Sequence, residues 1–220
     1  MLASYLDSTN LKPDCSRKDI IGLCERAAEF GMAAVCINPA RVSLATQVLD
    51  GSEVRLAAVI GFPLGATPAG NKLQEAGQAL KEGANELDMV INLGAVKDRD
   101  YKLVSEEIKL LLQMRKDHDY QLKVIVETAL LSREELQMLT VLASDLGADY
   151  IKTSTGFAGR GATIEDIEAI NLVKSNELKI KASGGIKTVD FALCLIQAGV
   201  HRIGSSSAEE LVNAYRQGGK

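Results

Sequence analysis

A single-domain (β/α)8 barrel, the TIM-barrel form of the α/β class, is the fold that this 220-residue sequence predicts. Three observations carry the prediction. Short apolar runs alternate with longer amphipathic segments eight times along the chain. The runs are continuous in Val, Ile and Leu, as expected of strands covered on both faces. No linker, low-complexity stretch or charge block interrupts the alternation, so one domain spans 1–220. Strands and helices that alternate through short connections form right-handed βαβ units and a parallel sheet. Eight units of roughly 25–30 residues suit a closed barrel. Strand order is not written in the sequence, so an open parallel sheet stays as the alternative.

The elements follow in order. SYLDST (4–9) is the first strand. Ser16 opens a helix with Ile20, Leu23, Cys24 and Ala27 at helical spacing, closing before Gly31. MAAVCIN (32–38) and VRLAAVIGF (54–62) are the second and third strands. Thr67-Pro68 starts a helix that ends near Gly83, read as an N-cap residue followed by Pro at the first helical position. NELDMVIN (85–92) and QLKVIVET (121–128) are the fourth and fifth strands. Ser132 and Glu135 form a capping box on a helix that closes at Gly147. ADYIKTS (148–154) is the sixth strand, and Thr163 with Asp166 resembles a second, weaker box. LKIKAS (178–183) and HRIGSS (201–206) complete the eight. Gly31-Met32, Gly83-Ala84 and Gly147-Ala148 each place a helix-ending glycine directly before a buried strand.

Composition excludes several function classes. With 25 Lys+Arg against 29 Asp+Glu, a net charge of -4 argues against a nucleic-acid or anionic-membrane binder held by bulk electrostatics. No apolar run reaches the roughly 18 residues of a membrane span. MLASYLDSTNLKPD lacks a basic region followed by an apolar one, so no secretory leader is expected. Cys15, Cys24, Cys36 and Cys194 form no C-x-x-C pair, which reads as reduced, mostly buried thiols of a cytoplasmic protein. No His, Cys or acidic cluster has metal-ligand spacing, and no G-x-G-x-x-G follows the first strand. Neither a metal site nor a nicotinamide site is therefore supported. His118 and His201 fall before strands, at the end of the barrel away from chemistry.

In such a barrel the active site lies at the C-terminal ends of the strands. A charge within a strand buried on both faces is costly unless it is paired, and three stand out: Asp88, Lys152 and Lys181. Lys152 in YIKTSTG and Lys181 in IKASGG occupy corresponding places on adjacent strands. Strands about 4.8 Å apart bring two inward amines within reach of each other. At ~4 Å and an effective dielectric near 20, their repulsion is about 4 kcal/mol. Such repulsion, with desolvation, would leave one amine partly neutral, as a nucleophile attacking a carbonyl must be. The bland alternative is that strand-end lysines point to solvent, as Lys179 is expected to do. Asp88 can pair with a lysine and relay protons, or simply be a satisfied buried carboxylate. Ser183-Gly184-Gly185 and Gly204-Ser205-Ser206 end the seventh and eighth strands, where loops of this fold cradle phosphate. Thr155-Gly156 adds a donor-rich turn. Cys36 ends the second strand and reads as a small buried hydrophobe.

With these residues named, the chain closely resembles the deoxyribose-phosphate aldolase family of class I, Schiff-base aldolases. The resemblance runs through LDSTNLKPD (6–14), AVCINP (34–39), GFPLGAT (61–67), ELDMVINLGAVK (86–97), VIVETALL (124–131), ADYIKTSTGF (148–157), KASGGIKT (181–188) and RIGSSS (202–207). It implies reversible cleavage of 2-deoxy-D-ribose 5-phosphate to D-glyceraldehyde 3-phosphate and acetaldehyde, without a metal or cofactor. It also implies Lys152 as the Schiff-base lysine, with Lys181 and Asp88 in proton transfer. Gly184, Gly185 and Gly204, with Ser205 and Ser206, resemble the family's phosphate-binding loops, beside the Thr155-Gly156 turn as a further substrate contact, and a homodimer or homotetramer is implied. Two positions depart: Ser8 stands where many members carry His, and Tyr215 falls in the last helix rather than in a terminal tyrosine motif. Another Schiff-base aldolase or transaldolase, or a non-catalytic sugar-phosphate-binding barrel, are the alternatives.

Overall fold

The computed structural model describes residues 2–218; Met1, Gly219 and Lys220 lie outside the described residues. Eight strands form the barrel: β1 (Leu6–Asn10), β2 (Ala34–Ile37), β3 (Arg55–Ile60), β4 (Glu86–Val90), β5 (Gln121–Ile125), β6 (Tyr150–Lys152), β7 (Lys179–Ser183) and β8 (Arg202–Ser205). Every neighbouring pair is parallel, and β8 pairs back onto β1. That closure removes the open-sheet alternative.

The helices are α1 (Arg17–Phe30), α2 (Val42–Val48), α3 (Ala69–Lys81), α4 (Leu93–Lys97), α5 (Tyr101–Gln113), α6 (Arg133–Leu146), α7 (Ile164–Asn171), α8 (Val189–Gln197) and α9 (Ala208–Gly218). Side-chain caps fix where several begin. Ser16, Ser132 and Thr163 each accept from the backbone N–H three residues on, and Asp19, Glu135 and Asp166 reach back to complete three capping boxes. Gly31 and Gly147 close α1 and α6 in the left-handed region, at φ 65° and 79°. The start of α3 differs from the reading of Thr67 as N-cap. Pro68 is itself the N-cap, extended at ψ 144°, and no side chain caps the first turn. The Thr67 hydroxyl accepts instead from the Asn71 side chain. At the other end of the chain's first strand, residues Leu2–Tyr5 form a 3-10 turn, so β1 begins two residues after the apolar run does.

Two apolar layers result. The larger fills the space between barrel and helices, with Val35, Leu87, Ile151, Ile180 and Ile203 fully buried. Each such side chain contributes about 1.5–3 kcal/mol by leaving water. The smaller, Leu11, Cys36, Ala57 and Val59 with Phe62 against it, lies inside the barrel on the β1–β3 side. Paired residues share a face in a parallel sheet. Register therefore places Thr9, Cys36, Ala57 and Glu86 in one inward row. Val59, Asp88, Lys123 and Tyr150 form another, and Lys152, Lys181 and Arg202 a third. The interior is thus apolar and small on one side, and ionic on the other.

Candidate active site

Strand alternation turns Asp7, Asp88, Lys152 and Lys181 into the barrel, and there they meet. Lys152 and Lys181 are register partners on β6 and β7. Their amines do not face one another bare. Both donate to one oxygen of Asp88, Oδ2, at 2.8 Å for Lys152 and 2.6 Å for Lys181. The other oxygen, Oδ1, accepts from Lys123 at 2.8 Å. Lys181 also forms an ion pair with Asp7 at 2.5 Å.

This arrangement corrects the expectation that repulsion between two lysines alone would tune the site. Burial by itself pushes the Lys181 ammonium down, but the carboxylates of Asp7 and Asp88 outweigh it and raise it above the ordinary lysine value. Lys181 is the fixed cation. Asp88 is buried as well, which would raise it, yet Lys123, Lys152 and Lys181 together hold it well below the usual carboxylate range. Asp7 behaves alike: burial opposes its charge, and Lys181 and Arg202 bring it down to about 2.

A cavity of about 630 Å³ opens above these charges at the C-terminal ends of the strands. Lys152 lines it, whereas Lys181 and Asp88 are fully buried directly behind. Thr155, Gly156, Gly184, Gly185, Gly204, Ser205 and Ser206 all line the same cavity. Three loops are tied together around it. Ser183 Oγ donates to the Ser154 carbonyl at 2.5 Å, joining the β6 and β7 loops. Ser205 Oγ donates to the Ile186 carbonyl at 2.8 Å, joining those of β7 and β8. Gly184 turns at φ 84°, and a Cβ there would lie 2.8 Å from the Gly161 Cα. Only glycine fits that close approach.

Sequence reasoning passed over several residues. Lys123, Glu86, Asp7 and Arg202 extend the ionic network: Lys123 reaches Glu86 at 2.5 Å, and Arg202 reaches Asp7 at 2.6 Å and Glu86 at 3.1 Å. Each is a charge inside a strand run, the same signal that marks Asp88. Glu127, in the left-handed region at φ 53°, accepts from the Thr155 N–H at 3.1 Å and from its hydroxyl, and so seats the loop after β6. Lys12, Arg26 and Lys187 bring positive charge to the cavity rim, with Asp19 among them.

The remaining expectations sort plainly. Cys36 is buried, with Sγ 3.6 Å from Asp88 Oδ2, and burial pushes its thiol up. Cys15 and Cys24 are also buried; Cys194 is exposed. Lys179 is exposed and stacks 5.6 Å from the Tyr150 ring centroid. Ser8 alternates to the face opposite Asp7, away from the interior, and Tyr215 packs half-buried against the core from α9. His201 precedes β8, accepting from the Ile180 N–H, and His118 precedes β5. Among the described residues, no group of three or more His, Cys, Asp or Glu could hold a metal ion. Nor is any helix among them long and apolar enough to cross a membrane.

The chain is similar to several known proteins. A family model described as DeoC/LacD family aldolase matches residues 2–208. A deoxyribose-phosphate aldolase of Thermococcus kodakarensis is 48% identical over 213 residues, 96% of this chain and 95% of that one. Among solved structures, the aldolase QR15 superposes with a TM-score of 0.93 at 40% identity, covering 98% of this chain and 96% of its own. The tetrameric deoxyribose phosphate aldolase of Aeropyrum pernix gives 0.91 at 31% identity, covering 98% and 91%.

Proposed function

The chain belongs to the DeoC/LacD aldolase family, and from that premise we propose that it reversibly cleaves 2-deoxy-D-ribose 5-phosphate to D-glyceraldehyde 3-phosphate and acetaldehyde through a Schiff base on Lys152. The observation that carries the reading is Asp88 Oδ2 shared between two lysines, one lining the cavity and one sealed behind it.

Lys152 in its neutral form attacks C1 of the open-chain sugar, giving a carbinolamine and then, with loss of water, an iminium. Release of a two-carbon aldehyde requires the C2–C3 bond to break. The C3 hydroxyl gives up its proton, the C3 oxygen becomes the aldehyde of glyceraldehyde 3-phosphate, and the bonding pair flows to the iminium nitrogen as an enamine. Protonation at C2 and hydrolysis then free acetaldehyde and the amine. We assign proton transfer to Asp88 with water beside Lys152, and to Lys181 the role of the cation held against the same carboxylate oxygen. The turns at Gly184-Gly185 and Gly204-Ser205-Ser206, with the cationic rim, suit the 5-phosphate. Free cysteines suit a reducing cytoplasm. The tetrameric relative supports assembly as a homo-oligomer, and the net charge of -4 suits a small-molecule substrate better than nucleic acid or an anionic membrane.

The test is a coupled assay for acetaldehyde from 2-deoxyribose 5-phosphate, with ribose 5-phosphate and fructose phosphates as comparison substrates, run with and without a chelator. Acetaldehyde from the deoxy sugar alone, insensitive to the chelator and lost in Lys152→Ala, is the expected outcome. Borohydride reduction in the presence of acetaldehyde should add mass at Lys152. Labelling of another lysine, or phosphate binding without acetaldehyde, would overturn the assignment.

A further inference from the structure

The buried ionic network has an odd charge count. Lys123, Lys152, Lys181 and Arg202 supply four cations, and Asp7, Glu86 and Asp88 supply three carboxylates. The side chains of Asp7, Glu86, Asp88, Lys123 and Lys181 are fully buried, so water does not absorb the difference. Arg55 on β3 also pairs with Glu86 through a buried Nε, but its side chain is 40% exposed, so water screens the rest of its charge. The pairing within the network is unequal. Lys123, Lys181 and Arg202 each bridge two carboxylates, whereas Lys152 has Asp88 alone, on an oxygen it shares. Lys152 is also the one amine of the three that lines the cavity. One proton leaving Lys152 brings three cations against three carboxylates.

We propose that Lys123, Glu86, Arg202 and Asp7 are positioning residues that keep the network one cation in excess, so that the excess is relieved at Lys152. None of the four lines the cavity, so none touches a bound sugar there. They act through the field and through Asp88, whose Oδ1 is occupied by Lys123 so that Oδ2 is left to the two working amines. The inference rests on the proposed Schiff-base reading. Among the other groups around Lys152, Glu127 after β5 gives its carboxylate to the Thr155 N–H and hydroxyl. Cys36 on β2 is held as a thiol by burial, and Tyr150 on β6 as a phenol for the same reason. Lys12, Asp19, Arg26 and Lys187 stand on the solvent side of the cavity, where water screens them.

The experiment reads the pH dependence of imine formation with acetaldehyde, trapped by cyanoborohydride and located by peptide mass, in the whole protein and three variants. Lys123→Met removes a buried cation, relaxes the pressure on the Lys152 ammonium, and should move the acid limb up by about one pH unit. Glu86→Gln removes a carboxylate and should move it down by about the same amount. The double variant restores the excess of one and should return the limb close to the wild-type position. Circular dichroism reports whether each variant folds. Should a single variant fail to fold, Arg202→Met replaces Lys123→Met and Asp7→Asn replaces Glu86→Gln, with the same signs. A purely structural role would weaken the variants without opposite displacements. Shifts of one sign, no shifts, or a displaced double variant would overturn the proposal. A wild-type protein that forms no imine at Lys152 overturns the proposed function instead.

Discussion

Gly204 lies where β8 passes Lys181, and a Cβ there would sit 3.3 Å from Lys181 Cε and 3.2 Å from Ser183 Cβ. A methyl group at that distance moves the lysine by a few tenths of an ångström, away from the oxygen it shares with Lys152. Misplacement of a reacting group by about 1 Å can cost about 100-fold. Gly204→Ala is therefore expected to lower kcat by roughly 10-fold, with a change in KM of less than about threefold. Steady-state kinetics on folded variant protein checks this; an unchanged kcat would mean that Lys181 has room to spare. Asp88, Lys152 and Lys181 were legible in the sequence because a charge inside an apolar run demands a partner. Which partner was not legible. Lys123, Glu86, Asp7 and Arg202 carry the same signal, but their pairing crosses the barrel between strands far apart in sequence. It depends on register, which no single segment encodes.

Helix ends show the opposite balance between local and distant information. The capping box of α6 is complete within four residues, from Ser132 to Glu135, and the same Glu135 carboxylate meets Lys97 at 2.6 Å. Ser132→Ala removes one of its two hydrogen bonds and should cost about 1 kcal/mol. In urea unfolding this appears as a lower midpoint at constant slope, with aldolase activity unchanged because Ser132 stands outside the active-site cavity. An unchanged midpoint would show the cap to be redundant with the Glu135–Lys97 pair. Seven of the eight strands lie within the apolar runs that mark them and β1 runs one residue past its own, to Asn10, because the face of each strand that meets the helices must be apolar. The helices with weaker punctuation were less legible. Asp100 and Thr188 cap α5 and α8 with their side chains, a signal present in the sequence but isolated. At Thr67-Pro68, local chemistry misleads: both residues favour a helix start, and the extended backbone of Pro68 decides where it falls.

Across the molecule, Arg202 ties the last strand to the first through Asp7 and to the fourth through Glu86. Stability should therefore follow the ionisation of these carboxylates. The Asp7 carboxyl is held at about 2 in the fold, against 3.8 for an ordinary aspartate. A group lowered on folding stabilises fully above its unfolded value and loses that contribution as pH falls toward its folded one. Asp7 alone should thus withdraw on the order of 2 kcal/mol between about pH 4 and pH 2. Asp88, lowered by its three lysines, acts in the same direction. Urea unfolding from pH 7 to pH 2 should show a plateau and then a steep loss below about pH 4. A level stability through that window would show these carboxylates to be little changed by folding.

The layer of charged side chains beneath Lys152 also decides traffic. It fills the barrel beneath the cavity, which opens at the rim formed by the loops after the strands. On the proposed Schiff-base reading the smaller fragment stays tethered to the amine as an enamine, so the phosphorylated one leaves by that rim first.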